Sequence, residues 1–223
     1  MQLFKSLVVI AAVAAAAGLT GPALASVVTD HNDVPASERT YSALGSLIYS
    51  DGPNTYAIGG ASLGNFSGET ETPVSPGVAD IAFNGGMSGG FSANFAPPTP
   101  MLFTGPFLIR STDLPPSPPF SEEIALEMLQ MNLVGGGMML RESPTLASLG
   151  HETHENLGGG LFRIDSFFDI FTELSLDGGQ TWMPSQNLTR FDLTAINSVP
   201  EPLTAALFGI GLLGLASLRR RNG

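Results

Sequence analysis

The sequence predicts an all-β protein: one sandwich or jelly-roll-like domain carried between two apolar terminal segments. Three observations predict it. The 27 glycines and 17 prolines of the 223-residue chain recur every few residues through its middle, a density that helices of ordinary length do not survive. Between these breaks lie short runs rich in aromatic and β-branched residues. The clearest run, Phe168 to Leu176, sets Phe168, Ile170, Thr172, Leu174 and Leu176 against Asp169, Phe171, Glu173 and Ser175, the period of a half-buried strand. Many short strands with Gly/Pro turns form sandwiches and related all-β folds. No fixed repeat length is present, which disfavours a solenoid or propeller.

Taken in order, residues 26–39 are polar and read as an extended leader or edge strand. Tyr41 to Tyr49 is strand-forming, Asp51-Gly52-Pro53-Asn54 is a turn, and Thr55 to Ile58 is the return strand of a hairpin. Gly59 to Pro76 reads as loops and short strands. Ala79 to Phe83 and Phe91 to Phe95 are short strands separated by glycine pairs. Met101 to Arg110 is a strand in which Pro106 argues for an edge or a bend. Leu114 to Pro119 is a rigid connector. Ser121 to Val134 fits two periods. Ile124, Met128 and Met131 share a helical face behind a Ser121 cap, whereas Ile124, Leu126 and Met128 alternate as in a strand; the Gly135-Gly136-Gly137 turn that follows favours the strand. Met138 to Arg141 is its return. Residues 143–150 read as loop and His151 to Asn156 as a polar loop. Leu161 to Asp165, Phe168 to Leu176 and Phe191 to Ala195 are strands, and Asp177 to Gln180 is a turn.

The termini are organised differently. Lys5, the apolar run Leu7 to Leu19 and Ala23-Leu24-Ala25 have the layout of a secretory signal peptide, so residues 1–25 are set apart and the mature chain is expected to begin near Ser26. At the other end Pro200-Glu201-Pro202 breaks the chain. The uncharged run Leu203 to Leu218 follows, and then Arg219, Arg220 and Arg221. As a helix the run reaches about 24 Å, close to a hydrocarbon core of about 30 Å, and the arginines are held on the cytoplasmic side. Residues 199–223 resemble the PEP-CTERM sorting signal of Gram-negative bacteria in order, spacing and position. The resemblance implies a transient inner-membrane helix and recognition of Pro200, Glu201 and Pro202 by an exosortase, a membrane-embedded cysteine transpeptidase. It also implies a final location at the cell surface or in an exopolysaccharide or biofilm matrix. The competing reading is a permanent tail anchor. The resemblance carries nothing about the domain at 26–198.

That domain is acidic. Setting the terminal segments aside leaves five arginines against nineteen Asp and Glu, a net charge of −14. Such a surface repels nucleic acid and anionic lipid, whose binding needs clustered Lys and Arg. With no cysteine in the chain, disulfides, thiolate catalysis and cysteine-ligated zinc are excluded.

Two local patterns carry chemistry. Ser175-Leu176-Asp177-Gly178-Gly179-Gln180-Thr181-Trp182 follows S-x-D-x-G-x-T-W and resembles the Asp-box, a hairpin device of sialidases and many other β proteins. The resemblance implies that Asp177, Ser175 and Thr181 bond the turn, that Gly179 is left-handed and that Trp182 packs beneath. It is a structural role. A single copy with five body arginines does not make a sialidase. His151-Glu152-Thr153-His154-Glu155 offers His151, His154 and Glu155 as weak ligands for a divalent cation, but its histidines are three apart rather than the four of a helical zinc site. No nucleophile elbow is present. Glu122/Glu123 and Asp165/Asp169/Glu173 are candidate carboxylate pairs for glycan cleavage by residue type alone.

The expected function is that of an exported structural or adhesive protein, not an enzyme and with no required cofactor. Its expected partners are signal peptidase, an exosortase, the inner membrane transiently, and exopolysaccharide. A carbohydrate- or ion-binding module is the alternative, and a secreted glycan hydrolase the third reading.

Overall fold

A computed structural model describes residues 26–28, 39–120 and 122–194. The Ala23–Ala25 cleavage region, the 200–202 motif, the apolar run and the 219–221 cluster lie outside these residues, as does Ser121. Among the described residues there are thirteen strands and no helix. All pairings are antiparallel. The strands are β1 (Ser26–Val28), β2 (Thr40–Ala43), β3 (Leu47–Ser50), β4 (Thr55–Ser75), β5 (Val78–Ala93), β6 (Thr99–Leu114) and β7 (Glu122–Gly135). They continue with β8 (Met138–Glu142), β9 (Ser148–Gly158), β10 (Leu161–Ile170), β11 (Thr172–Ser175), β12 (Met183–Pro184) and β13 (Thr189–Thr194).

Eight of them close a ring in the order β10-β13-β2-β4-β5-β6-β7-β9, with β9 bonded back to β10. The expected sandwich or jelly roll is therefore corrected to an antiparallel barrel. Alternation along each strand is the same in both architectures. What separates them is whether the last strand finds the first, and closure removes the sheet edges that an open sandwich leaves.

Towards one end the ring is continued by replacement strands. β3 pairs with the start of β4, β8 with the end of β7, β11 with β8 and β12 with β11. The Gln186 amide, donating to the Ile48 carbonyl at 2.8 Å, joins the segment after β12 to β3. The opposite end is where β1 pairs with the start of β10 and where β13 finishes at Thr194, paired with Thr40. We refer to it as the tail end, since the described chain finishes there at Thr194.

Long strands replace several predicted loops. Residues 59–75 belong to β4, which absorbs its small and polar residues through register shifts between Gly59 and Ser62, Gly64 and Ser67, Ser67 and Thr70, and Pro73 and Ser75. Asn65, at φ 56°, is left-handed within this bulged region. β6 is internal, paired on both sides. Pro106 falls between Thr104↔Val134 and Phe107↔Met131, where the β6–β7 ladder is interrupted, so the missing N–H breaks no pairing there. Gly105 faces β7 at the same place. A Cβ on it would stand 2.0 Å from the Asn132 carbonyl oxygen, so only glycine lets these backbones approach.

β7 is a strand, and its double periodicity has a physical source. Leu108 pairs with Gln130 but Ile109 with Met128, so Leu129 is the extra residue of a bulge. Leu126 and Met128 face inwards before it and Met131 and Leu133 after it. The one-residue phase change turns a two-residue repeat into the helical spacing of Met128 and Met131.

The interior is packed with side chains. Phe66, Phe83 and Phe107 form its centre. Phe83 and Phe107 are stacked at 5.1 Å, and Phe66 stands edge-on to both at 5.3 and 6.0 Å. Tyr41 and Phe168 continue the cluster, their rings 5.6 Å apart. Outside, Arg110 pairs with Asp80, Arg163 with Glu155 and Arg190 with Asp169. Apolar inside and polar outside is the reverse of a membrane-spanning barrel with an aqueous lumen.

Candidate functional site

The residue patterns singled out in the sequence fall at opposite ends of the barrel. Far from the tail end, the turn between β11 and β12 holds Ser175, Asp177, Gly179, Thr181 and Trp182. Ser175 Oγ donates to Asp177 Oδ1 at 2.7 Å and accepts the Gly179 amide at 2.8 Å. Asp177 Oδ1 accepts the amides of Gln180 and Thr181 at 3.0 and 2.9 Å, and its Oδ2 accepts the Thr181 hydroxyl at 2.6 Å. These donors, the Thr181 hydroxyl foremost, hold the Asp177 carboxyl well below the usual carboxylate range. Gly179 sits at φ 91°, and Trp182 Nε1 donates to its carbonyl at 3.0 Å. The Arg141 guanidinium lies 3.9 Å over the Trp182 ring while bonding Glu173 at 2.6 Å. Arg141 and Glu173, on β8 and β11, thus support the turn from below. The sequence pattern did not single out that support.

At the tail end a chain of ionisable side chains runs into the interior, where the other buried polar residues among those described are serines and threonines. Arg39, just before β2, is 1% exposed, and Glu152 and His154 on β9 are both 0% exposed. Arg39 Nη1 donates to Glu152 Oε1 at 2.9 Å and to Oε2 at 3.1 Å. His154 Nε2 lies 2.7 Å from Glu152 Oε1, and its Nδ1 lies 2.8 Å from Oε2 of Glu122 on β7. Beside this chain Tyr41 and Ser166 share a hydroxyl bond at 3.1 Å. Arg39 Nε and Nη2 are buried without a hydrogen-bond partner.

The electrostatics follow from burial and pairing. Burial alone would neutralise Glu152, but the bond from His154 and the Arg39 charge outweigh it and hold the carboxyl low. Burial likewise opposes charge on His154, and its bonds and attraction to Glu152 and then Glu122 raise it above the ordinary histidine value. Tyr41 is pushed up to about 12 by burial and by the Glu152 charge, so it stays a neutral phenol. At the other end of β9, burial pushes Glu142 up to about 7 against a bond from Ser148, with Glu127 and Glu173 adding repulsion.

The structure places the predicted ligands on different faces. His151 to Asn156 is strand rather than loop, within β9. Residues three apart on a strand point oppositely, so His154 faces the core with Glu152, while His151 lies outside, 33% exposed and 3.9 Å from Glu123. Glu155, also outside, bonds Arg163. The set His151, His154 and Glu155 therefore cannot meet one ion. Among the described residues no three His, Asp or Glu side chains are grouped to hold a metal. Both nitrogens of His154 face carboxylates, so neither is free to activate a hydroxyl. Of the candidate carboxylates, Glu122 and Glu123 take opposite faces of β7, Asp169 is held by Arg190, and Glu173 by Arg141. A surface cleft of about 410 Å³ lies by the β4–β5 turn, with Glu71 and Asp113 among its lining residues.

Glu152 and Arg39 were not singled out in the sequence. Glu152 was legible as the i−2 partner of His154 once β9 is read as a strand. Arg39 lies 113 residues away and had no local signal.

No family model matches the chain, and neither a curated protein nor a solved structure is similar to it.

Proposed function

We propose that the chain is an exported, non-enzymatic structural or adhesive protein of the cell envelope or extracellular matrix, associated with exopolysaccharide. In this reading residues 1–25 direct export and residues 199–223 sort the protein through an exosortase. The observation that carries it is the uninterrupted succession of Pro200-Glu201-Pro202, the apolar run and Arg219 to Arg221 at the C-terminus.

The architecture supports a cargo domain of this kind. Each of the five arginines in the domain is paired with a carboxylate, so little positive charge is left over for anionic ligands. The interior is filled by side chains. β1 and the end of β13 lie at the same end, so a C-terminal anchor would hold the barrel by that end and present the Asp-box turn away from the membrane.

Intact-mass measurement of the protein from its native host, fraction by fraction, tests the reading. A species beginning near Ser26 and ending near Pro200 to Pro202, recovered outside the inner membrane, is expected. A species that retains Arg219 to Arg221 and stays in the inner membrane overturns sorting and leaves a tail-anchored domain.

A further inference from the structure

At the end away from the tail, the turn between β5 and β6 carries an aromatic ring that the fold does not use. Phe95 is 92% exposed, the most open of the large apolar side chains described and the one aromatic among them. Single exposed apolar residues are ordinary, but this one also sits at φ 62°, next to Asn94 at φ 49°. The Ala96 amide donates to the Ala93 carbonyl at 3.0 Å across the pair. The two residues are therefore the centre of a turn whose second position favours glycine. A bulky side chain there is strained, and burial offsets none of the strain.

The neighbouring β3–β4 turn holds this turn in place. The Asn94 amide donates to the Thr55 carbonyl at 2.7 Å, and Asn94 Oδ1 accepts the Thr55 amide at 2.9 Å. Asn94 Nδ2 donates to Asn54 Oδ1 at 2.9 Å. Asn54 Nδ2 donates to both carboxylate oxygens of Asp51 at 3.1 Å, and the Tyr56 hydroxyl donates to Asp51 Oδ2 at 2.9 Å. The chain carrying the ring is thus fixed, with amide and carboxylate groups on the adjoining surface. We infer that Phe95 is a stacking platform for the apolar face of a neutral β-linked polysaccharide, with Asn94, Asn54 and Asp51 bonding its hydroxyls.

Size and charge select this occupant. One ring offers about 200 Å², whereas a stable protein contact takes about 800 Å² from each partner. One sugar ring is of matching size. The five arginines of the domain are each held by a carboxylate, so an anionic polymer or lipid headgroup meets no cation to pair with. A pyranose with equatorial hydroxyls turns axial C–H bonds towards the negative face of an aromatic ring. The oxygens of Asp51 and Asn54 keep lone pairs for hydroxyl donors. A contact of this size is weak singly and adds along a repeating polymer. The inference rests on the exopolysaccharide association proposed above and gives it a site.

The experiment is native electrophoresis of the chain as recovered from its host, through gels holding laminarin or hydroxyethylcellulose, two neutral β-glucans, beside a gel with neither. The parent chain is expected to be slowed by glucan. In Phe95→Gly the apparent dissociation constant is expected to rise about tenfold, and in Phe95→Trp the retardation is expected to be kept. Phe95→Gly is expected to melt no lower than the parent, since glycine suits the turn. Equal retardation of the parent and Phe95→Gly overturns the site and leaves the polysaccharide association standing. A parent chain that neither glucan slows overturns the inference outright. A lower melting temperature in Phe95→Gly shows a ring that serves the fold, and overturns it too. So does a Phe95→Gly chain that loses self-association, or binding to phosphatidylcholine vesicles, in place of glucan binding. The mass measurement above reads sorting independently, so the two readings fail separately.

Discussion

Single side chains in this barrel are decided by which face they take and what meets them there. Glu152 is the sharpest case. A buried carboxylate is tolerable only with its partners, and it has two, Arg39 and His154. Removing it in Glu152→Ala strands an arginine and an imidazolium in the core. A loss of about 3–5 kcal/mol is expected by chemical denaturation. Glu142 is the opposite case, a carboxyl pushed up to about 7 by burial and by like charges. The folded state holds its proton more tightly than the unfolded chain does. Its contribution is therefore fully present below the ordinary value of 4.5 and is lost as pH rises towards 7. Glu142→Gln is expected to leave stability unchanged at pH 4 and to raise it at pH 8, by about 1 kcal/mol after allowing for the group's partial exposure. Thermal melts at the two pH values check the sign.

At the scale of the element, the β11–β12 turn and the β6–β7 ladder show two ways in which sequence fixes backbone. In the turn, Asp177 gathers two amides and two hydroxyls. Asp177→Ala is expected to free the turn without unfolding the barrel. Amide exchange at Gln180 and Thr181 should rise about tenfold or more while the β4–β5 ladder is unaffected. In the ladder the constraint is steric. Gly105→Ala forces a methyl against the Asn132 carbonyl, and neither backbone can withdraw without breaking pairing on both sides of β6. A destabilisation of about 3 kcal/mol, at the upper end for overpacking, is expected in urea titration. β7 carries a related lesson: Leu129 is one residue too many for its partner, and that single bulge made a strand resemble a helix in its apolar spacing.

The whole molecule adds the opposing titrations together. His154 is raised, so the stability it supplies is complete below its ordinary value of 6.5 and is lost as pH climbs through the folded value. Glu142 acts in the same direction from 4.5 upwards. Glu152 is lowered, so its share is present above 4.5 and is lost as pH falls below that. Stability is therefore expected to peak on the mildly acidic side, between about pH 4.5 and 6.5, and to fall in both directions. A melting series from pH 3 to pH 9 checks this. A maximum at pH 8 would contradict the assignment of His154 as an imidazolium. The sequence by itself determined what local chemistry can encode: the all-β class, the hairpins at Asp51–Asn54 and Gly135–Gly137, the Asp-box residues, and the acidic surface. Alternation, turn residues and charge are short-range properties, and short-range properties are written in order along the chain. The tertiary structure alone decided that the sheet closes through β9 and β10, and that glycine-rich stretches run on as long bulged strands. It alone brought Arg39 to Glu152, with Glu122 opening the same chain to solvent. Closure and burial depend on contacts between residues far apart in sequence, and two residues 113 positions apart leave no mark on each other's neighbours.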